Sequence, residues 1–366
     1  MPLIHTRGDP NSRIWLIIDH PFPSDVPKGY LMSGGMGYVL EKMLSEAGLS
    51  IFDIYVCARR PDSDDPLLYA SIDSAILNYM PPFIFLVNEV GSHYFMEMRP
   101  RSTKENYKTQ LNKYVGSLMS SDRFSYPHYM MPIYGPDKCS QDWTERNITT
   151  YIDMQKMRDE FLYWKATGKI QPLRERRLIC DDRIDLNELL SHFEKFSRAK
   201  YLSNDIETVY PKKESKLFPH PGFAIVIGLA DSANFGVSFK LYRDSIEETK
   251  ILWRAYDDII SQARIIGQNF INFDTYYQRA VGFDIMPKQV QDTLIRHHIL
   301  WPELPHKLQF LTRQYTRQPF YKDEGKHWNI KHMKDLMHYN ALDVTVTYEV
   351  FEAQEKEFND RPHLRG

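Results

Sequence analysis

The sequence predicts an α/β protein of two successive units. Its length of 366 residues corresponds to about two domains of ordinary size. Short apolar runs alternate with longer segments of helical periodicity in both halves, which is typical of strands connected by helices. The turn Thr167-Gly168 and the basic run after it indicate a boundary. We therefore expect a first domain over residues 1–166, a basic linker and helix over 167–198, and a second domain over 199–366.

Composition and charge exclude several protein classes. With 42% hydrophobic and 26% charged residues, the chain is neither disordered nor a fibrous repeat. Its three cysteines follow no Cys-x-x-Cys spacing, which argues against a disulfide scaffold, a zinc finger or an iron-sulfur cluster and fits a reducing, cytoplasmic setting. The N-terminus lacks a signal-peptide core, and Pro81-Pro82 divides the most apolar stretch, so we expect neither export nor membrane contact.

A net charge of -2 excludes a globally basic nucleic-acid binder but leaves room for a local basic surface. The densest basic run follows the first predicted domain. It is either a solvated linker or a contact for a phosphate backbone. Its members are Lys165, Lys169, Arg174, Arg176 and Arg177.

In the first domain, apolar runs predict strands and amphipathic periodicity predicts helices. Strands are expected at residues 14–18, 54–57 and 83–87, helices at 37–46, 104–119 and 147–166, and a loop rich in Tyr and Pro at 126–136. In the second domain we expect a helix at 186–196 and a three-stranded meander at 199–205, 223–230 and 234–241. A helix at 246–262, a strand at 264–267, a helix at 273–281 and a helical end at 331–358 would complete a mixed sheet with crossover helices.

Carboxylates mark a candidate site in the second domain. Asp205 and Glu207 are two residues apart on a predicted strand, so both side chains lie on one face. Tyr339 and Asp343 are four residues apart on a predicted helix and also share a face. Asp274 begins a predicted helix after a strand end. If the four acids converge to about 5 Å, each ionised pair costs on the order of 3 kcal/mol, so the group requires cations.

Hard oxygen ligands of this kind suit two Mg²⁺ or Mn²⁺ ions. Such a pair can activate water and stabilise the leaving oxygen in phosphodiester cleavage. The sequence therefore points to nuclease chemistry.

At these motifs the chain resembles the DEDDy 3′-5′ exonucleases, which include the proofreading domains of DNA polymerases. The matching segments occur in the family's order and cover about residues 199–355; they are Asp205-Ile-Glu-Thr208, Asn269-x-x-x-Phe273-Asp274 and Tyr339-x-x-x-Asp343. Segments at 304–311 and 320–326 are similar to virus-encoded proofreading domains. The resemblance implies a ribonuclease H-like, DnaQ-like mixed-sheet fold for this domain.

The same resemblance implies roles for individual residues. Asp205, Glu207 and Asp343 would bind metal directly, Asp274 would act through water on the second ion, and Tyr339 would orient the attacking water. Thr208, Asn269 and Phe273 would contact the substrate, although Asn269 is equally a turn-forming residue. Asp292 is either a helix cap or a supporting residue of the site. Lys212, Lys213 and Lys216 either touch the strand backbone or form an exposed turn.

The first domain resembles the opening of the uracil-DNA glycosylase superfamily over about residues 13–165. The resemblance rests on the strand before Asp19-His-Pro-Phe22, the glycine-rich turn at 33–37 with its helix, and the strand at 54–57. It implies a three-layer α/β/α fold, with Asp19 at the position of the family's water-positioning acid and His128 in place of its His-Pro-Ser loop. Because bulky residues occupy the motif that must admit a flipped base, we expect a domain that does not excise uracil.

These features predict a metal-dependent 3′-5′ exonuclease that trims single-stranded or frayed DNA 3′ ends beside a separate DNA polymerase, in a virus-encoded, phage-type replication system. Two alternatives remain. The same acids would cleave RNA, since discrimination rests on the 2′-OH. The first domain could instead supply glycosylase activity or a DNA-binding adaptor.

Overall fold

The computed structural model describes residues 6–19, 21–58, 66–88, 107–121, 123–142, 144–209, 223–321 and 333–364. The chain divides into two compact units, Met1–Leu173 and Arg174–Gly366. The division falls inside the predicted linker, so the second unit begins earlier than residue 199. The reason is that the end of this segment supplies a strand and a helix to the second unit.

The first unit contains a five-stranded sheet with the order β1-β3-β2-β4-β5. Strands β2 to β5 are mutually parallel where they pair, and β1 is antiparallel to β3. The strands are β1 (Thr6–Arg7), β2 (Ile14–Ile18), β3 (Ile54–Ala58), β4 (Phe83–Val87) and β5 (Tyr129–Ile133).

Helices cover both faces of this sheet. They are α1 (Gly35–Glu46), α2 (Pro66–Tyr79), α3 (Tyr107–Tyr114), α4 (Pro136–Cys139) and α5 (Glu145–Thr167), with short 3-10 turns at Val26–Lys28 and Ile51–Asp53. Alternate residues of β2 enter different cores: Leu16 packs with α1 and α5, while Trp15 packs with α2. The described residues thus form three layers, and the strands are buried on both sides.

Two features of the first unit differ from the sequence prediction. Strand β5 lies in the segment predicted as a loop, because Pro132 and the neighbouring turn residues obscure its apolar character. The strand lies at the sheet edge, where a proline is tolerated. Helix α2 was not predicted, since its residues were interpreted only as an apolar stretch.

The second unit contains a six-stranded mixed sheet with the order β11-β10-β7-β8-β9-β6. Strands β7, β8 and β9 form the predicted antiparallel meander, whereas β10 runs parallel to β7 and to β11. The strands are β6 (Arg177–Ile179), β7 (Tyr201–Val209), β8 (Phe223–Ser232), β9 (Phe235–Lys240), β10 (Arg264–Gly267) and β11 (Val290–Asp292). The mixed sheet expected here is confirmed.

Helices pack on this sheet around an apolar core. They are α6 (Leu186–Phe196), α7 (Ile246–Gln262), α8 (Asp274–Val281), α9 (Thr293–Leu300), α10 (Leu308–Tyr315) and α11 (Met333–Asp360), with 3-10 turns at Pro287–Gln289 and Pro362–Leu364. Helix α11 crosses β7, β8 and β9. This crossing places the polar positions of α11 over the middle of strand β7. Within the described part of the chain, no helix combines the length and the apolar character that a membrane crossing requires.

Candidate metal-binding and active site

Three carboxylates converge where α11 crosses β7. One oxygen each of Asp205, Glu207 and Asp343 lies within 4.8 Å of the others. Asp205 and Glu207 share a face of β7 because they are two residues apart, and Asp343 comes from the buried side of α11. At this spacing each ionised pair repels by about 3 kcal/mol at an effective dielectric of 20. The three carboxylates are therefore arranged to bind positively charged ions.

Asp274 lies next to this group but is not one of the three converging carboxylates. It begins α8, is 2% exposed, and its Oδ1 accepts a hydrogen bond of 3.1 Å from the backbone N–H of Ile206. Burial, followed by the negative charge of Asp205, raises the pKa of Asp274 well above its ordinary value. A bound cation would reverse this effect by favouring the charged form.

Two tyrosines lie beside Asp343. Tyr321 Oη donates to Asp343 Oδ1 over 2.6 Å, and the rings of Tyr321 and Tyr339 are 6.0 Å apart. Burial and the charge of Asp343 raise the pKa of both phenols. The raised pKa favours the neutral phenol of Tyr339, which can orient water by a hydrogen bond.

Asn340 is a site residue that the sequence interpretation missed. Its side chain is fully buried, its Nδ2 donates to Asp205 Oδ2 over 2.8 Å, and its Oδ1 accepts from Ser238 Oγ over 2.8 Å. The available signal was its position between Tyr339 and Asp343 in the third motif. Tyr321 was also missed, and it lies in a segment noted only for its resemblance to viral domains.

Asp292 holds the loop of the second motif. Its Oδ1 accepts from the N–H groups of Asn269 and Leu294, at 2.9 and 3.0 Å, and its Oδ2 accepts from the N–H of Ile271 at 3.2 Å. Asp292 is thus the cap of α9 and an anchor for this loop at once. Asn269 has a φ of 56°, the left-handed conformation that a turn-forming Asn adopts.

Thr208 and Phe273 were also expected to contact substrate. Thr208 is buried and follows an irregularity of pairing between Glu207 and Thr208. The Phe273 ring packs against Tyr277 with 5.0 Å between ring centroids, beside the core of the second unit. Contacts of Thr208, Asn269 and Phe273 with substrate stay predictions.

In the first unit, the two residues singled out by the glycosylase resemblance, Asp19 and His128, lie at different levels of the sheet. Asp19 follows the carboxyl end of β2, whereas His128 precedes the amino end of β5. The register aligns Ile14 with Phe83 and Phe83 with Tyr129, so about five strand residues, or about 16 Å, separate the two levels. His128 Nε2 accepts from Ser121 N, and Nδ1 is 2.7 Å from the carbonyl of Tyr126, which makes it a structural histidine.

The basic run is partly structural as well. Arg176 is buried and bonds Glu349, the carbonyl of Ala233 and Gln318. The guanidinium of Arg177 lies 5.7 Å from the ring centre of Phe235. Arg176 is therefore a poor candidate for a phosphate contact. Lys212, Lys213 and Lys216 lie outside the described residues.

The converging carboxylates fit divalent cations. They offer hard oxygen atoms, which Mg²⁺ and Mn²⁺ prefer, and no sulfur or imidazole ligand joins them among the described residues. Asp205, Glu207 and Asp343 are the residues that would hold such ions.

Comparison with known proteins finds a family model that matches most of the second unit. Residues 179–359 match the family model described as 3′-5′ exonuclease, whose name refers to DNA polymerase A. A search of curated proteins finds no match. The segment includes every residue of the site described above.

Solved structures similar to part of the chain include an EXO domain, an exoribonuclease and a polymerase domain. The Aedes aegypti Nibbler EXO domain is 14% identical with a TM-score of 0.40, over 52% of this chain and 94% of that one. Escherichia coli RNase D, titled an exoribonuclease involved in structured RNA processing, is 14% identical with a TM-score of 0.35, over 52% and 49%. The polymerase domain of Pol1 from M. smegmatis with DNA is 10% identical with a TM-score of 0.36, over 51% and 28%.

The family match and the mixed α/β sheet agree with the exonuclease fold expected for the second unit. The segment at residues 179–359 is a 3′-5′ exonuclease domain of the matched family.

Proposed function

We propose that this protein is a metal-dependent exonuclease that removes nucleotides from single-stranded or frayed DNA 3′ ends during replication. The observation that carries the proposal is the convergence of Asp205, Glu207 and Asp343 within 4.8 Å inside a 3′-5′ exonuclease domain. Two Mg²⁺ or Mn²⁺ ions held there would supply an activated water and charge stabilisation for the leaving 3′ oxygen.

The chain's own residues have separate tasks in this reaction. The three carboxylates hold the cations, and Asp274 is placed next to them with its carboxyl fixed by Ile206 N–H. Tyr339 orients water as a neutral phenol, because its raised pKa keeps the proton on the oxygen. The left-handed turn at Asn269 leads into α8, which begins with Asp274.

DNA as the substrate is supported by the name of the matched family and by the resemblance to polymerase proofreading domains. RNA is the alternative, since the acids act on the phosphodiester and do not read the sugar. A separate polymerase is the partner that a proofreading role requires, and a phage-type replication system in the host cytoplasm is the setting we propose.

We propose that the first unit is a non-catalytic, glycosylase-like domain that binds DNA or the polymerase. Its parallel strands and the helices on both faces support the architecture. The separation of Asp19 from His128 speaks against a shared excision site.

One assay tests these assignments together. End-labelled single-stranded DNA, single-stranded RNA and uracil-containing DNA are incubated with the protein and Mg²⁺ or Mn²⁺, beside Asp205→Ala and Asp19→Ala variants. We expect release of mononucleotides from DNA that Asp205→Ala abolishes and Asp19→Ala leaves unchanged. Preferential degradation of the RNA substrate would indicate an exoribonuclease instead. Alkali-labile sites in uracil-containing DNA that disappear with Asp19→Ala would reject a non-catalytic first unit.

A further inference from the structure

The metal-holding carboxylates are themselves held by neutral hydrogen-bond donors from other parts of the second unit. We infer that Asn340 and Tyr321 are positioning residues, which fix the orientation of Asp205 and Asp343 so that the two carboxylates receive divalent cations. The inference rests on the proposed metal-dependent function and assigns to that site two residues that act through its ligands.

Asn340 occupies a space that the sheet leaves open for it. Asp205 on β7 pairs with Gly228 on β8, and Gly228 pairs with Ser238 on β9, so the three residues lie in line across the sheet. A Cβ atom at Gly228 would lie 2.5 Å from Asn340 Oδ1, which is closer than atoms approach in proteins. The missing side chain of Gly228 therefore admits the amide of Asn340.

The hydrogen bonds of Asn340 fix which way its amide faces. Asp205 Oδ2 is an acceptor as a carboxylate oxygen, so the partner at 2.8 Å must be the NH₂ group of Asn340. The amide oxygen then accepts from the hydroxyl of Ser238. The amide cannot rotate without breaking both bonds, and it is fully buried, where an unpaired polar group is costly. Ser238 and Asn340 together therefore restrain the orientation of the Asp205 carboxylate.

Tyr321 holds Asp343 in a similar way. Its ring is buried in an apolar cluster with Leu311 and Val346, which fixes where the hydroxyl lies. The hydroxyl donates to Asp343 Oδ1 over 2.6 Å, a short bond of the kind that charged acceptors form. The bond restrains the Asp343 carboxylate next to Asp205 and Glu207.

Partners of this kind orient metal ligands in other proteins, and their removal typically weakens metal affinity by about 10- to 100-fold. Tyr321→Phe removes one oxygen atom and keeps the packed ring. Asn340→Ala removes the amide. Ser238→Ala keeps the bond to Asp205 but lets the Asn340 amide rotate, so its effect should be smaller than that of Asn340→Ala.

The test measures Mn²⁺ binding to the full chain without nucleic acid, by titration calorimetry or by the electron paramagnetic resonance of free Mn²⁺. We expect about 10- to 100-fold weaker Mn²⁺ binding for Tyr321→Phe and for Asn340→Ala. Two control variants make the same chemical changes at residues that do not contact the proposed metal ligands. Tyr315→Phe removes a phenol that donates to Glu357 over 2.8 Å, and Gln354→Ala removes a buried amide on the same helix that donates to the carbonyl of Thr293.

The metal dependence of any nuclease activity supplies a second readout. The Mn²⁺ concentration for half-maximal rate should rise in Tyr321→Phe by the same factor as the dissociation constant, with the rate at saturating Mn²⁺ restored to within a few-fold. Mn²⁺ binding equal to that of Tyr315→Phe and Gln354→Ala would overturn the inference. Weakened Mn²⁺ binding in a protein that cleaves no nucleic acid would uphold it and reject the proposed function instead.

Discussion

The two units use similar layers of helix and sheet but place their polar residues differently. In the first unit the paired strands β2, β4 and β5 are buried on both faces, and Asp19 and His128 lie at opposite ends of the sheet. In the second unit a carboxylate-bearing strand, β7, lies in the middle of a mixed sheet, and a long helix crosses it.

The difference shows how a site can form inside a layer. A parallel sheet that is apolar on both faces leaves only its strand ends for chemistry. In the second unit, α11 presents Asn340 and Asp343 on its buried side, so polar groups of helix and strand meet in mid-strand. The unit whose sheet carries carboxylates in mid-strand is the one with the nuclease motifs.

The largest expected effect concerns the carboxylates themselves. Asp343→Asn removes a cation ligand, and we expect the rate of nucleotide release to fall by about 10³-fold, which corresponds to about 4 kcal/mol of transition-state stabilisation. The melting temperature without metal should stay constant or rise, because one like charge is lost. Single-turnover cleavage and thermal unfolding measure the two effects. A variant that keeps its rate would place the chemistry elsewhere.

The next effect compares the buried side chain of Arg176 with the more exposed side chain of Arg174 in the second unit. Arg176→Ala leaves Glu349 with one fewer partner in a buried position, and we expect the free energy of unfolding to fall by about 3–5 kcal/mol. Arg174→Ala, in the more exposed pair with the same glutamate, should cost less than about 1 kcal/mol. Denaturant unfolding measures both values. Weaker DNA binding without loss of stability in Arg176→Ala would contradict this assignment.

The stability of the second unit should also depend on pH. Burial lowers the pKa of His297 from 6.5 to about 4. His306 Nδ1 lies 2.7 Å from His297 Nδ1, and His298 Nδ1 lies 2.9 Å from His306 Nε2. Between these pKa values the unfolded chain binds a proton that the folded chain does not. The contribution of neutral His297 to the free energy of unfolding is therefore fully present above about pH 6.5. It is lost as the pH falls toward 4, by up to about 3 kcal/mol.

Denaturant unfolding between pH 8 and pH 4 measures that dependence. His297→Gln keeps a hydrogen-bonding side chain without the titration, so its stability should decline less over the same range. Identical slopes for the variant and the natural chain would show that His297 does not contribute.

The smallest effect should be confined to the first unit. Asp25 is buried and accepts from the N–H groups of Phe22, Met32 and Ser33. Asp25→Ala leaves these donors unpaired and should lower the stability of this unit by about 2 kcal/mol. Hydrogen exchange should quicken in Ile14–Ile18, with no change in Tyr201–Val209 and no change in nuclease rate. Slower cleavage would reveal coupling between the units.

Elements with simple local patterns were predictable from the sequence. The strands at Ile14–Ile18 and Phe83–Val87 and the helix at Ile246–Gln262 were predicted with their observed bounds, because apolar runs or a helical period end at clear breakers. Strand β5 was not predicted, since Pro132 is acceptable only through its place at the sheet edge. That place depends on the tertiary fold.

The acids of the site were predictable because their spacing is local to each motif. The residues that donate hydrogen bonds to these acids were not predictable in this way. Asn340 bonds to residues 135 and 102 positions away, and Tyr321 bonds to one 22 positions away. No sequence period connects such distant positions, so these hydrogen bonds are visible only in the folded arrangement.

The close approach at Gly228 ties two positions of the chain together. A methyl group there would meet both Asn340 and Val344, so a larger residue at 228 is compatible only with a smaller one at 340. Replacing Asn340 with a smaller residue would remove the hydrogen bond that its amide donates to Asp205. Directed-evolution libraries that vary β8 should consequently recover active clones only where position 228 stays glycine, however tolerant the rest of the strand proves.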